Sequence, residues 1–249
     1  MLDEILRVGA AFSEFAAWLS QDAGEHALTS DWHARAFEWA HAAGDARMIS
    51  WVMTRRAVQS LAEGEAAFAV RLAHTAQGDQ SDLTTRVRAI AAQTEGLAHA
   101  TLGDADQFER CMATAHELTV AQQGMPLDGD PSGGNRYCEL PLYLDITLSK
   151  GYLALGQADR AVASFTRVID ALPADYRRDR GQYLVKLSEA SAMAGLPEQA
   201  WAHAAEAVSI ARETGSSRTL DDVARVAAST LSPWSDMPEG RAVREMLGT

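Results

Sequence analysis

The sequence is short of several residue types, and each scarcity narrows what the chain can be. It has two cysteines, Cys111 and Cys138. They fit no metal-ligand pair spacing and read as reduced thiols. A chain of 249 residues needs no such staple, because a domain of this size buries roughly 70–75% of its unfolded surface. Proline is absent before Pro126, lysine occurs only at Lys150 and Lys186, and the single asparagine is Asn135. There is no run of eighteen apolar residues, so no membrane-spanning helix is expected. The opening "MLDEILRVGAAFSEF" lacks the basic start, unbroken apolar stretch and small-residue cleavage site of a secretory signal. A soluble, cytoplasmic protein is expected.

Positive charge is also scarce. The formal net charge is -12, and residues 1–124 hold 9 basic against 17 acidic side chains, leaving 13 and 17 for the remainder. Neither half offers phosphate a basic face, so direct nucleic-acid binding by this chain is not expected.

Alanine, leucine, arginine and glutamate are plentiful, and strand-like alternation is hard to find. This is an all-α composition. Glycines punctuate it in the contexts "DAGEH", "AEGEA", "TLGDA", "ALGQA" and "MAGLP", at Gly24, Gly64, Gly103, Gly156 and Gly195. The intervals are 40, 39, 53 and 39 residues. A glycine that ends one helix and is soon followed by the next produces a helical hairpin. Five hairpins at a near-constant period predict an α-solenoid. The long interval is one period plus an insertion, "QQGMPLDGDPSGGNRYCELP". The predicted hairpins cover about 3–43, 45–78, 82–122, 139–173 and 175–214 in a single array, with an inserted loop at 123–138. Capping helices are predicted over 217–231, with Ser217 or Thr219 as N-cap, and over 238–247, begun by Pro238.

The stretch "LSKGYLALGQADRAVASFTRVIDALP" resembles a tetratricopeptide repeat. Leu148, Tyr152, Gly156, Ala161, Phe165 and Pro173 match the family spacing. Asp145 stands where the pattern has tryptophan, and Ser149 where it has a small glycine. The other copies keep chiefly the turn glycine and small residues such as Ala57, Ala69 and Ala73, or Gly96 and Ala115. Small residues let the two helices of a hairpin approach, while Tyr152 and Phe165 are expected to fill the gap to the next repeat. The segments "FAAWLSQDAGE", "ARAFEWAHAAGD", "YRRDRGQYLVKLSEASAMAGLPEQAW" and "LSPWSDMPEGRAVREML", in that order, resemble the tetratricopeptide sensor region of bacterial Xre-type helix-turn-helix transcriptional regulators, without the DNA-binding domain. That resemblance implies a right-handed solenoid and regulation by a ligand or partner.

In such arrays the first helix of each repeat lines the concave face. The implied groove has Glu14 and Trp18 in the first repeat, Trp51, Thr54 and Arg55 in the second, and Ile90, Gln93 and Leu97 in the third. The fourth adds Tyr143, Ile146 and Lys150, and the fifth Gln182 and Glu189. Aromatic anchors among scattered polar groups suit a helix or short peptide better than a polyanion. Peptide-sensing relatives of this wider group grip an extended backbone with asparagine amides. With Asn135 alone, weight moves toward a partner helix or an apolar small molecule. Trp18 and Trp51 are equally open to packing between repeats.

Other motifs carry less. "DGDPSGGNRYCE" places Asp128, Asp130, Ser132, Gly133 and Glu139 at calcium-loop positions, but Pro131 and Arg136 break the pattern and a solvated loop is expected. His26, His33 and His41, seven and eight residues apart, lack a zinc or catalytic arrangement and read as surface or partly buried imidazoles. The cluster "YRRDR", Tyr176 to Arg180, reads as a solvated face. No nucleophile elbow, phosphate-binding loop or dinucleotide fingerprint occurs. The expected function is therefore non-enzymatic: a sensor array with no metal or cofactor, taking a peptide, partner helix or apolar small molecule. A constitutive scaffold that docks a partner helix, and an enzyme with its site in the groove, are the alternatives. Homodimerisation is left open.

Overall fold

The computed structural model describes residues 1–78, 83–124, 130–131 and 140–248. Among these the chain is all-helical, with no strand. The helices are α1 (Leu2–Asp22), α2 (His26–Ala42), α3 (Ala46–Ala62), α4 (Ala66–Ala76), α5 (Thr85–Thr101) and α6 (Ala105–Gln122). They continue as α7 (Leu140–Ala154), α8 (Ala158–Ala171), α9 (Arg177–Met193), α10 (Pro197–Thr214), α11 (Ser217–Ala228) and α12 (Pro238–Leu247). None is long and apolar enough to cross a membrane among the described residues. The chain divides into two compact units, Met1–Thr147 and Leu148–Thr249, with the division falling inside α7.

The turns follow from local chemistry. Gly24 holds φ at +80°, where a residue with a Cβ would be strained by about 1–2 kcal/mol. Its N–H donates to the Gln21 carbonyl (3.1 Å), and the Glu25 N–H donates to the Ser20 carbonyl (2.9 Å). This is the Schellman arrangement, which satisfies carbonyls orphaned at a helix end and reverses the chain in two residues. The same pair of bonds recurs at Gly64, Gly103, Gly156 and Gly195. It also recurs at Gly44, which joins α2 to α3 and so lies outside the rhythm of the five. Asp45 then caps α3 by accepting from the Met48 N–H (3.0 Å), and Asp104 caps α6 by accepting from the Gln107 N–H (3.0 Å).

In the first unit α1 packs on α2, α3 on α4 and α5 on α6, while α3 also touches both α1 and α5. One core cluster joins Ala10, Ala36, Ala40, Met48, Trp51, Val52, Ala89 and Ile90. A second joins Ala57, Ala69, Leu72, Ala73 and Ala98. Small residues set the helix separations. A Cβ added at Gly96 would stand 3.0 Å from the Cβ of Cys111, so α5 and α6 approach closely there.

In the second unit Phe165, Tyr183, Leu184, Trp201 and Val208 are buried between α8, α9 and α10. The Ser149 hydroxyl bonds the Ser164 hydroxyl at 2.8 Å, which explains how a polar residue is accommodated where the repeat pattern has glycine. Phe165 is fully buried. Tyr152 is only half-buried, with the Arg160 guanidinium 4.1 Å from its ring centre and donating to its hydroxyl (3.0 Å).

The cap of α11 differs from the sequence expectation. Neither Ser217 nor Thr219 caps the helix; the Ser216 hydroxyl accepts from the Thr219 N–H (3.4 Å). Ser216 follows left-handed Gly215 and has the extended backbone an N-cap requires, whereas Ser217 is already helical. Pro238 does begin α12. That helix lies over Trp201, whose indole N–H donates to the Trp234 carbonyl (3.3 Å), and a Cβ at Gly240 would fall 3.0 Å from the ring.

Candidate functional site

The residues that sequence reading assigned to a groove fall into both units. Ten lie in the first: Glu14, Trp18, Trp51, Thr54, Arg55, Ile90, Gln93, Leu97, Tyr143 and Ile146, of which Ile90 and Ile146 are buried. Lys150, Gln182 and Glu189 lie in the second.

The first unit brings its charged members together. Glu14 on α1 and Arg55 on α3 form an ion pair of 3.2 Å, with side chains 15% and 16% exposed. Arg55 also donates to the Gln21 side-chain oxygen (3.3 Å), and its guanidinium carbon lies 6.0 Å from the centre of the Trp51 ring. The carboxylate and carbonyl that a groove arginine would seek in a ligand are here supplied by the chain itself. A planar guanidinium held by three partners is a rigid element.

The two tryptophans have different fates. Trp51 is 5% exposed and belongs to the core. Trp18 is 41% exposed and stacks on Phe15 with ring centres 5.8 Å apart. One helical turn separates it from both Glu14 and Gln21, so it borders the ion pair on the solvent side.

Thr54 and Gln93 are buried. The Thr54 hydroxyl bonds back to the Ser50 carbonyl (2.9 Å), as helical threonines do when nothing else is within reach. Gln93 accepts from the Thr147 hydroxyl (3.2 Å), but its amide N–H group has no acceptor among the described residues, nor has the Trp51 indole N–H. Each such buried donor costs about 1–3 kcal/mol. Tyr143 packs, half-buried, on the edge of the cluster that holds Trp51.

In the second unit the Lys150 ammonium lies 5.8 Å from the centre of the Tyr183 ring. Glu189 stands between Lys186 (3.2 Å) and Arg225 (3.8 Å), and Gln182 is half-buried. The basic cluster at 176–180 is largely engaged. Arg177 pairs with Glu213, Arg178 donates to the Thr214 carbonyl (3.1 Å) at the end of α10, and Arg180 pairs with Glu206 (3.2 Å).

One polar network went unread in the sequence. His33 is buried, and its Nδ1 lies 2.9 Å from the Gln59 side-chain oxygen. The Gln59 amide donates in turn to the Ser30 hydroxyl (2.8 Å) and the Glu63 carboxylate (2.8 Å). With the proton on Nδ1, the buried Nε2 faces no partner. Protonating it would place an unsolvated N–H in the interior, and burial accordingly pushes the imidazole down to about 4, against the Gln59 hydrogen bond that favours charge. The signal was present: Thr29, His33, Ala36 and Ala40 share the buried face of α2. His26 and His41 are exposed.

Burial, with Glu95 adding to it, pushes the Cys111 thiol up to about 11, so it stays protonated and weakly nucleophilic. No cluster of three histidine, cysteine or carboxylate side chains occurs among the described residues. Most of the calcium-like loop and Cys138 lie outside them, although Asp130 accepts a hydrogen bond from the Thr84 hydroxyl. No protein-family model matches this chain, and no curated protein matches it.

Proposed function

We propose that the chain is a non-enzymatic, ligand- or protein-binding tetratricopeptide-like array, a right-handed α-solenoid serving as the sensor part of a transcriptional regulator. The observation that carries the binding reading is the arrangement on α1 and α3. An exposed aromatic, Trp18, borders a partly shielded Glu14–Arg55 pair that is backed by the core indole of Trp51. Recurrence of one Schellman turn at the repeat glycines supports the array.

The ligand is a partner helix, a short peptide or an apolar small molecule bearing a carboxylate. Its apolar part lies on Trp18, and its carboxylate replaces Glu14 on Arg55. Because Glu14 and Arg55 belong to different helices, the exchange alters the link between α1 and α3. That differential interaction is what allows binding to shift a conformational equilibrium.

Native mass spectrometry of the protein purified from its own cells should reveal the bound species, and adding that species back should raise the melting temperature. Trp18→Ala is expected to weaken its binding about tenfold or more, as loss of an aromatic anchor does, while the exposed α4 control Arg71→Ala leaves it unchanged. Equal binding by parent and Trp18→Ala would overturn the site. Turnover of the bound species would overturn the non-enzymatic reading.

A further inference from the structure

Helix α1 is built inside out. It packs on its neighbours through its smallest side chains, Ala10, Ser13, Ala17 and Ser20, all buried. On the opposite side stand Met1, Ile5, Val8, Phe12, Phe15 and Leu19, whose exposure runs from 49% at Leu19 to 94% at Met1. Their separations are 4, 3, 4, 3 and 4 residues. This is the alternating spacing of a coiled-coil seam, whose mean of about 3.5 residues keeps a stripe facing a second helix of the same kind. No charged side chain lies within the stripe, and the ammonium at Met1 pairs with the flanking Glu4 carboxylate (3.6 Å).

We propose that this stripe is an interface between two copies of the chain, with α1 of one packing antiparallel on α1 of the other about a twofold axis. Area is the first reason. The exposed parts of these six side chains amount to on the order of 800 Å² per chain, what each partner contributes to a standard stable interface. Such a patch is larger than the few hundred Å² that monomeric proteins ordinarily expose.

Side-chain size selects the direction. An antiparallel pairing centred on Ala10 sets Phe12 against Val8, Phe15 against Ile5 and Leu19 against Met1, so each ring meets a smaller aliphatic group. A parallel pairing would set Phe12 on Phe12 and Phe15 on Phe15 and leave the other layers thin. Charge agrees. Asp3 and Glu4 of the two helices lie at opposite ends of the antiparallel pair, whereas a parallel pair would bring all four together. The same acidic end, with only Arg7 as a basic residue on α1, disfavours an anionic membrane surface as the occupant. A twofold arrangement uses one self-complementary patch on both chains and closes at the dimer.

Sedimentation velocity of the 249-residue chain through the micromolar range should show twice its 26.8 kDa mass. The double variant Phe12→Asp, Phe15→Asp should sediment as a monomer with helical content retained, because both rings are outside the core, and its melting temperature should no longer rise with protein concentration as the parent's does. A parent that stays monomeric, or a double variant that dimerises like the parent, overturns the proposal. So does binding of the parent to phosphatidylcholine vesicles in place of self-association. Should the double variant fail to fold, cross-linking decides the matter. With Cys111 and Cys138 replaced by serine, a mixture of Val8→Cys and Phe12→Cys chains is expected to form the mixed disulfide on mild oxidation. Formation of Phe12→Cys homodimers alone, or no cross-link, overturns the antiparallel interface.

Discussion

His33 shows how one buried side chain makes stability depend on pH. Folding holds its pKa near 4, against 6.5 for an exposed imidazole, because the interior offers no solvent to the cation. A lowered pKa means that the unfolded chain binds the proton more readily. The stability contributed by neutral burial is therefore complete above pH 6.5 and is lost as pH falls from there toward 4, by on the order of 3 kcal/mol. Urea midpoints measured between pH 7.5 and 4 should fall over that window, and His33→Gln should flatten the decline. An unchanged slope in His33→Gln would assign the effect to carboxylates instead. Burial also separates two aromatic residues that the repeat pattern treats alike. Phe165→Ala should cost about 3–5 kcal/mol, whereas Tyr152→Ala, already half in solvent, should cost distinctly less. Chemical denaturation of the two variants side by side checks this ordering.

At the scale of single elements, the turn glycines were the most legible part of the sequence, because a Schellman glycine is local chemistry. Gly24, Gly64, Gly103, Gly156 and Gly195 all terminate helices in the left-handed region. What local reading lacked was a way to choose between neighbouring serines at the start of α11, since Ser216 and Ser217 are equivalent until the backbone assigns one of them an extended conformation. Ser216→Ala is expected to lower stability by about 1 kcal/mol, as loss of an N-cap does, while Ser217→Ala, exposed and already helical, stays within a few tenths. Equal effects from the two variants would remove Ser216 from the cap. Gly44 was legible too, but a search for a single period passes over a turn that occurs between hairpins.

For the whole molecule, charge was fully legible and packing was not. A net charge of -12 with basic residues such as Arg55, Arg177 and Arg180 tied to carboxylates gives the chain little to offer a polyanion. The 249-residue chain should show no useful affinity for duplex DNA at physiological salt, and a sequence-selective gel shift by it would reverse that conclusion. The candidate site was legible as a set of residue types, and its members diverged on folding. Thr54 and Gln93 are interior and Trp51 is core, Trp18 stays exposed on the helix that carries the Glu14–Arg55 pair, and Lys150, Gln182 and Glu189 belong to the second unit.

The sequence by itself determined the helical class, the acidic net charge and the turn glycines, because composition, periodicity and capping act over a few residues. Only the tertiary structure decided which face of each helix is covered. On α1 the stripe from Met1 to Leu19 and the small-residue face that includes Ala10 and Ala17 are both regular, and an amphipathicity rule would bury the larger side chains. The structure buries the smaller, with Trp39 of α2 filling the space that a side chain at position 9 would need. Close approach of helices rewards small residues at the crossing, and that reward depends on the shape of the neighbouring helix, which no single segment encodes.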